Sequence, residues 1–565
     1  MLAISLLTVS ALSFEYKLEG DKAVSVYEIK KSIDLEKPQT DRDSIKAIIE
    51  GIKTAYQSAG YFDCRVRADT SDIGFFPDTV VFRIEKGNLF YFGETSLTGL
   101  NSISENELGD YIGELKGKRA DDDNLNEYLQ RILHYYGERG YPYTSVNVSD
   151  FAIVDSNGLV DLTININEGP RVYTDSVIIL GNKVTHDYVI RREIQLHKGD
   201  VFMLGSLRLS AERINRLGFV SIIGEPKLFY GRELSKGIVV FNIRERKSST
   251  VGGVFGYVPS TRTRKGYISG VLDITLNNIL GTGRKSNLYY ATTDPESKEI
   301  RFSYTEPYFL GLPFYWTLSA EQIDRDSTYI KISGGIDISY RLGAYTALEA
   351  KLATQRTTPG KRGLYPEEHF TGTSVGVAVI GDYSDYPPNP RRGYSFDIAV
   401  KYLKKNYYRT GDYIPPESQS KKTSAEISTV RIFRISANSI LHFSGKVAGL
   451  NKTDIYLPIS ERFPIGGRGT VRGYLEGRYY GALIAYIRSE YRLLSGRDGR
   501  IFVFSDNGYY YFRDKENKSQ NAILTGFGMG AASMTPLGIF TVEFAWGKGN
   551  SFGEGKFYFG LENRF

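Results

Sequence analysis

The chain has 565 residues, with 71 Lys and Arg against 65 Asp and Glu, and a mean hydropathy of −0.29. Aromatics make up 13%, with 42 Tyr and 31 Phe but only 2 Trp, and glycine numbers 59. Beyond the extreme N-terminus no stretch approaches the ~20 consecutive apolar residues of a spanning helix. A single cysteine, Cys64, excludes a disulfide scaffold, and plentiful aromatic and β-branched residues exclude a disordered chain. Near-balanced charge without a long basic run argues against a nucleic-acid partner. Abundant Tyr, Phe and Gly at modest hydropathy fit a transmembrane β-barrel, because only alternate residues meet lipid.

Residues 2–13 form an apolar run of signal-peptide length, with small Ala11 and Ser13 placed for a cut before Phe14. The expectation is a signal peptide over 1–13, although the basic segment that usually opens one is absent.

A repeat with a period near 80 follows. Its opening strand ends in glycine at Gly20, Gly99 and Gly181, which are 79 and 82 residues apart. An amphipathic helix then runs into a Gly-aromatic pair at Gly60-Tyr61, Gly140-Tyr141 and Gly218-Phe219. Ile45, Ile48, Ile49, Ile52 and Tyr56 fall at helical spacing, as do Leu125, Tyr128, Leu129, Ile132, Leu133 and Tyr136. The third unit is weaker, with Ala211, Ile214 and Leu217. Each unit closes on a strand with a charged end: Val80–Glu85, Val160–Glu168 and Ile238–Glu245. The pattern predicts three small α+β modules, each β-α-α-β-β, over 14–90, 91–170 and 171–247.

From residue 248 helical periodicity gives way to alternation, over a remainder of 318 residues. At roughly 20 residues per strand and connection this predicts about 16 antiparallel strands over 248–565, an all-β transmembrane barrel. At the C-terminus Phe557, Phe559, Leu561, Asn563 and Phe565 share one face, opposite Lys556, Tyr558, Gly560, Glu562 and Arg564. One face up, Phe540, Val542, Phe544 and Trp546 oppose Thr541, Glu543 and Ala545.

Residues 466–474 read Gly-Gly-Arg-Gly-Thr-Val-Arg-Gly-Tyr. Around this motif the chain resembles the outer-membrane protein assembly and translocation superfamily (bacterial surface antigen family), which includes BamA, TamA and the two-partner secretion transporters. The resemblance extends to Asn278–Arg284, to Asp382, Asp385 and Pro390-Arg391-Arg392-Gly393, to Phe504–Gly508 and to Thr535–Gly538. It implies POTRA modules in the periplasm and a sixteen-stranded barrel in the bacterial outer membrane.

The resemblance also implies roles. Gly466, Gly467, Val471, Arg472, Gly473 and Tyr474 form a loop folded into the lumen, with Gly469 among its flexible glycines. Arg472 pairs there with Glu490 and Asp506; a planar guanidinium suits two carboxylates better than lysine would. Alternation places Glu490 with Arg488 and Arg492, opposite Ile487, Tyr491 and Leu493. Gly252, Gly253 and Gly256 weaken the first barrel strand, which closes against Gly560 and Phe565 in the last strand. In the family this seam is a lateral gate, and a disulfide between residues 253 and 560 is the expected block.

No catalytic constellation, metal-ligand spacing or cofactor motif appears; the five histidines lack ligand spacing and Gly281-Thr282-Gly283 opens no nucleotide loop. Asp121-Asp122-Asp123 reads as an acidic helix start. The expected function is a non-enzymatic outer-membrane assembly factor, TamA-like or BamA-like, that inserts β-barrel or autotransporter-like proteins. Its expected partners are the lipid bilayer, nascent outer-membrane or secreted proteins, and a periplasmic or inner-membrane assembly partner held by the POTRA modules. The alternatives are a two-partner secretion pore and a passive porin.

Overall fold

The computed structural model describes residues 6–7 and 15–564, apart from 34–40, 70–78, 156–157, 231–232, 259–266, 295, 326–327, 361–368, 386–388, 409–417, 452–455, 497–498 and 536–537. The expected signal peptide lies outside the described residues except for Leu6–Leu7, which pair with Tyr16 and Lys17. Phe565 and Pro536-Leu537 also lie outside them. The chain divides into two compact units. One is Met1–Ile178 with Leu196–Arg208 and Lys227–Val240; the other is Ile179–Gln195 with Leu209–Pro226 and Phe241–Phe565.

In the first unit the opening module runs strand Glu15–Gly20, helices Val26–Ser32 and Asp41–Ser58, then strands Arg65–Asp69 and Thr79–Glu85. The last strand is central. It pairs in parallel with the first and antiparallel with the middle one. The second module repeats this with strand Tyr91–Thr98, helices Glu105–Ile112 and Asp122–Gly137, and strands Ser145–Asp155 and Leu159–Asn167. Ser25 and Asp121 cap helices by accepting backbone N–H bonds from Glu28 and Asn124. The helical periodicity lands where it must: Ile48, Ile52 and Tyr56 are buried against Leu18 and Phe82, and Ile132 and Tyr136 against Val160 and Ile164. Tyr135 joins the second core from outside the expected stripe.

The third module departs from β-α-α-β-β. Its middle strand is broken into Val220–Ile222 and Lys227–Tyr230, and both halves pair antiparallel with Lys236–Glu245. The break holds Gly224, at φ 70°, and Pro226, which has no N–H for a ladder.

The repeated glycines have one steric cause. Gly20, Gly99 and Gly181 have positive φ, and a Cβ on each would lie 2.1, 2.1 and 2.2 Å from the carbonyl oxygens of Ile84, Ile166 and Ile243. The charged strand ends have a cause too. Glu168 accepts backbone N–H bonds from Asn101 and Ser102 at 3.0 Å, plus the Tyr136 hydroxyl at 3.0 Å. Glu245 accepts from Val184 at 2.9 Å and Thr185 at 2.6 Å. Each carboxylate ties down the loop just after the module's glycine. In the first module the equivalent position is Lys86, not Glu85, and the roles reverse: the Lys86 N–H donates to the Asp21 carboxylate at 3.3 Å.

In the second unit a closed antiparallel barrel of sixteen strands forms among the described residues, from Thr250–Val258 to Lys556–Arg564. Ile332, Val377, Ile501, Ile523 and Phe527 stand on its outer face, more than half exposed, while charged side chains line the inside. No helix among the described residues is long and apolar enough to cross a membrane.

Residues 179–195 and 209–226 pack in this same unit on the barrel's turns. The His186 N–H donates to the Gly281 carbonyl at 2.9 Å, and the Asn278 amide donates to Thr185 Oγ1 at 2.9 Å. Fully buried Glu193 accepts from the Tyr315 hydroxyl at 2.9 Å and pairs with Arg341 at 3.3 Å. Arg216 pairs with Asp382 at 3.3 Å and donates to the Ser384 carbonyl at 2.8 Å. The Asn278–Arg284 turn and residues 382–385 and 389–393 thus lie at the end of the barrel where the chain enters, and Asp385 accepts N–H bonds from Arg391 and Arg392.

The closure of the second module is open to test. Burial pushes the Glu168 carboxyl up, but the N–H groups of Asn101 and Ser102 pull it further down, leaving it below the ordinary carboxylate range. A depressed carboxyl stabilises the fold above its unfolded-state pKa and loses that contribution as pH falls through the depressed value. Glu168→Ala is expected to cost about 2–3 kcal/mol by orphaning three donors. Hydrogen exchange of the intact chain should show the loss confined to the second module at pH 7. The difference between variant and parent should shrink only below about pH 4.

Candidate functional site

The loop between barrel strands 11 (Ser439–Leu450) and 12 (Leu483–Ser495) turns back into the lumen. Its stem is a short hairpin, Phe463–Ile465 paired with Tyr479–Gly481. At the tip the chain coils on itself. The Gly467 N–H donates to the Val471 carbonyl at 2.9 Å, and the Gly466 N–H to Thr470 Oγ1 at 2.8 Å. Gly466, Gly467 and Gly473 hold φ of 110°, 98° and 91°, which side chains resist. Gly469 differs: its φ is not positive and it is exposed on the turn.

Arg472 is 1% exposed, the largest fully buried side chain among the described residues. Its Nε and Nη2 donate to the two oxygens of Asp506 at 2.7 and 2.8 Å. Its Nη1 reaches Glu490 at 2.8 Å and Glu543 at 3.1 Å, and its backbone N–H also donates to Asp506. The guanidinium carbon lies 3.4 Å above the Phe504 ring centroid. Around it Arg468 bonds Glu543 at 2.9 Å, Arg492 bonds Glu490 at 2.7 Å, and Arg488 stands 3.6 Å from Glu490. Four guanidinium groups therefore meet three carboxylates, so every buried charge has an opposite neighbour.

The strands supply these partners through alternation. On strand 13 (Gly499–Arg513), Phe504, Asp506 and Gly508 face inward while Ser505 and Asn507 face out. Phe504 is the floor under Arg472 and Asp506 is its bidentate partner. Gly508 leaves room for Val471, whose Cγ2 a Cβ there would approach to 2.6 Å. Strand 14 (Ser519–Thr535) admits the loop backbone itself: a Cβ on Gly526 would sit 1.9 Å from the Arg472 carbonyl oxygen. Gly473 in turn packs on the Trp546 backbone of strand 15 (Gly538–Gly547), 2.3 Å from where its Cβ would be. Buried Val471 packs with Ile465, Ile484 and Leu524.

Tyr474 completes the seat. Its hydroxyl donates to the Thr525 carbonyl at 3.2 Å, and its own carbonyl accepts from the Tyr558 hydroxyl at 3.2 Å. Tyr558 belongs to the last strand, so the loop tip touches each of strands 12 to 16.

At the seam, strand 1 and strand 16 pair over six residues, Thr250↔Arg564 to Phe255↔Phe559. Among the described residues the flanking ladders are longer, with nine pairs between strands 1 and 2 and seven between strands 15 and 16. Gly252 and Gly253 lie inside the seam ladder, opposite Glu562 and Leu561, whereas Gly256 pairs only with Ser269 of strand 2. Gly253 is not opposite Gly560; Val254 is, because the register is offset by one. A Cβ on Gly560 would lie 3.6 Å from Val254 Cγ2 and 3.7 Å from Arg468 Nη2, so the lumen loop reaches the seam.

The structure thus brings Arg472, Glu490 and Asp506 together and adds Glu543, Arg468 and Phe504. Alternation alone already put Glu543 on the inner face of strand 15. A second cluster left no such trace: Glu461, at the base of the loop, pairs with both Lys405 and Lys422 on strands 9 and 10.

Comparison with known proteins matches this architecture. The Omp85 superfamily domain matches residues 278–565, and the POTRA "surface antigen variable number repeat" matches 15–87, 90–169 and 172–246. The chain belongs to the Omp85 superfamily. Relatives include the outer membrane protein assembly factor BamA of Neisseria meningitidis serogroup B, 24% identical over 78% of this chain and 58% of its own length. That of Nitratidesulfovibrio vulgaris is 22% identical over 87% of this chain and 64% of its own. The chain thus spans about three fifths of the length of these relatives. Among solved structures, CdiB from Escherichia coli superimposes with a TM-score of 0.52 at 15% identity, over 84% of this chain and 91% of that one. This Omp85 chain is an outer-membrane protein with its POTRA modules on the periplasmic side.

Removing the Arg472 side chain should destabilise the barrel strongly. Arg472→Ala is expected to cost about 3–5 kcal/mol, because three carboxylates lose their common cation. Arg472→Lys should recover only part of this, since an ammonium cannot hold Asp506 by two parallel bonds. Urea unfolding in liposomes measures both; a Lys variant as stable as the parent would contradict this account.

Proposed function

We propose that this Omp85 protein is a non-catalytic assembly factor that helps β-barrel or autotransporter-like proteins fold into the outer membrane through the seam between strands 1 and 16. The six-residue seam ladder carries the reading. Among the described residues this glycine-containing junction is the shortest ladder in the barrel, and an opened edge offers unpaired backbone groups to an incoming strand. The relatives named as assembly factors support it. Nascent outer-membrane proteins are the substrates in this reading. The POTRA modules bind substrate or a periplasmic or inner-membrane partner, and Arg472 with its carboxylates holds the lumen loop against the gate.

The second reading is a protein-translocating pore of the two-partner secretion type, which the same barrel fold can serve. Depleting the protein and surveying the outer-membrane proteome separates them. Broad loss of barrel proteins is expected; loss of a single exported partner would favour the pore, and altered solute uptake alone a porin.

A cysteine pair at Val254 and Gly560 tests the seam directly, since these positions face one another. Oxidation should lower assembly of reporter barrels in proteoliposomes by at least about tenfold, and reduction should restore it. Full activity of the cross-linked form would sink the gating role.

A further inference from the structure

Strands 9 (Gly393–Tyr407) and 10 (Gln419–Arg434) carry two lysine pairs near their far ends, away from the turns that residues 179–195 and 209–226 engage. The inner pair, Lys405 and Lys422, is buried in the lumen and shares one carboxylate, that of Glu461. The outer pair, Lys404 and Lys421, is directly opposed across the ladder and exposed on the outer wall. Among the described residues this outer pair has no carboxylate partner.

Two like charges directly opposite in a sheet, with Cβ atoms about 5 Å apart, repel each other unless an anion lies between them. The inner pair shows how this stretch of sheet resolves such a conflict: one anionic group bridges both ammonium groups. Among the described residues, the outward positions around the outer pair carry no carboxylate. At this level they are Thr354 and Arg356 on strand 7 (Thr346–Pro359), and Thr371 and Thr373 on strand 8 (Phe370–Asp382). On strands 9 and 10 they are Tyr402, Asn406, Gln419 and Thr423. Arg356 adds a third exposed cation to the same face.

Height decides what the anion is. Below Lys404 the outward residues of strand 9 are Ile398, Val400 and then Tyr402, all more than 40% exposed. Apolar residues followed by an interfacial tyrosine mark the passage from hydrocarbon to headgroups. The lysines stand one step beyond, at headgroup level, at the end of the barrel opposite the turns packed by residues 179–195 and 209–226.

We propose that Lys404 and Lys421, assisted by Arg356, bind the phosphate of a lipid headgroup in the outer leaflet. This rests on the barrel's place in the outer membrane and not on the gating reading. Lysine ammonium groups on both sides of one phosphate supply several charge-assisted bonds, and thereby remove the repulsion between the lysines. The site lies on strands 9 and 10, across the barrel from the junction of strands 1 and 16.

The test uses the full-length protein in mild detergent, with native mass spectrometry and diphosphorylated lipid A as the probe. A one-to-one adduct is expected. Lys404→Gln/Lys421→Gln should reduce it on the order of tenfold. Lys404→Arg/Lys421→Arg should keep it. Heat-modifiable gel mobility confirms that each variant has folded. Three results would overturn the proposal: equal adduct in the glutamine variant, equal adduct with dephosphorylated lipid A, or displacement of the lipid by equimolar inorganic phosphate.

Discussion

A guanidinium withdrawn from water is the constraint around which the barrel interior is arranged. Arg472 keeps its charge at any accessible pH, so its burial obliges the walls to supply carboxylates. Asp506, Glu490 and Glu543 come from strands 13, 12 and 15, far apart in sequence. The loop must therefore enter to a set depth, and the wall must be thin enough to receive it. Gly508, Gly526 and Gly473 provide that thinness, each at a point where a Cβ would collide with the opposing chain. Charge pairing and glycine placement are two halves of one requirement.

The same loop binds two regions of the barrel that have different characters. Its base is held on strands 9 and 10 by Glu461 between two lysines. Its tip rests on strands 12 to 16, ending at Tyr558 and Gly560 beside the short seam. A change in loop position is therefore felt at the seam, while the opposite wall is fastened from within.

The modules obey a simpler rule. Each must turn its first strand sharply and then secure the loop that follows. A glycine beside a carbonyl allows the turn, and a carboxylate accepting two N–H bonds secures it in the second and third modules. Lys86 and Asp21 achieve the same closure with exchanged roles in the first. That exchange is why Glu85, read alongside Glu168 and Glu245 in the sequence, is not their structural equivalent.

Much of this was legible in the order of residues. Periods of 3.6 and 2 separate modules from barrel, because burial on one face imposes those periods whatever the partners are. The spacing of Gly20, Gly99 and Gly181 marks the repeat, since a backbone that collides with a Cβ tolerates no other residue there. Alternation also puts Glu490, Asp506 and Glu543 on inward faces. What alternation cannot state is register. The offset that sets Gly253 against Leu561, and Val254 against Gly560, exists only once the last strand closes on the first. Nor can it show that Glu461 meets Lys405 and Lys422, or that Lys404 faces Lys421. Those encounters join residues 17 to 56 positions apart along the chain. Local sequence carries the period of each element; barrel closure and loop insertion alone decide which charges meet.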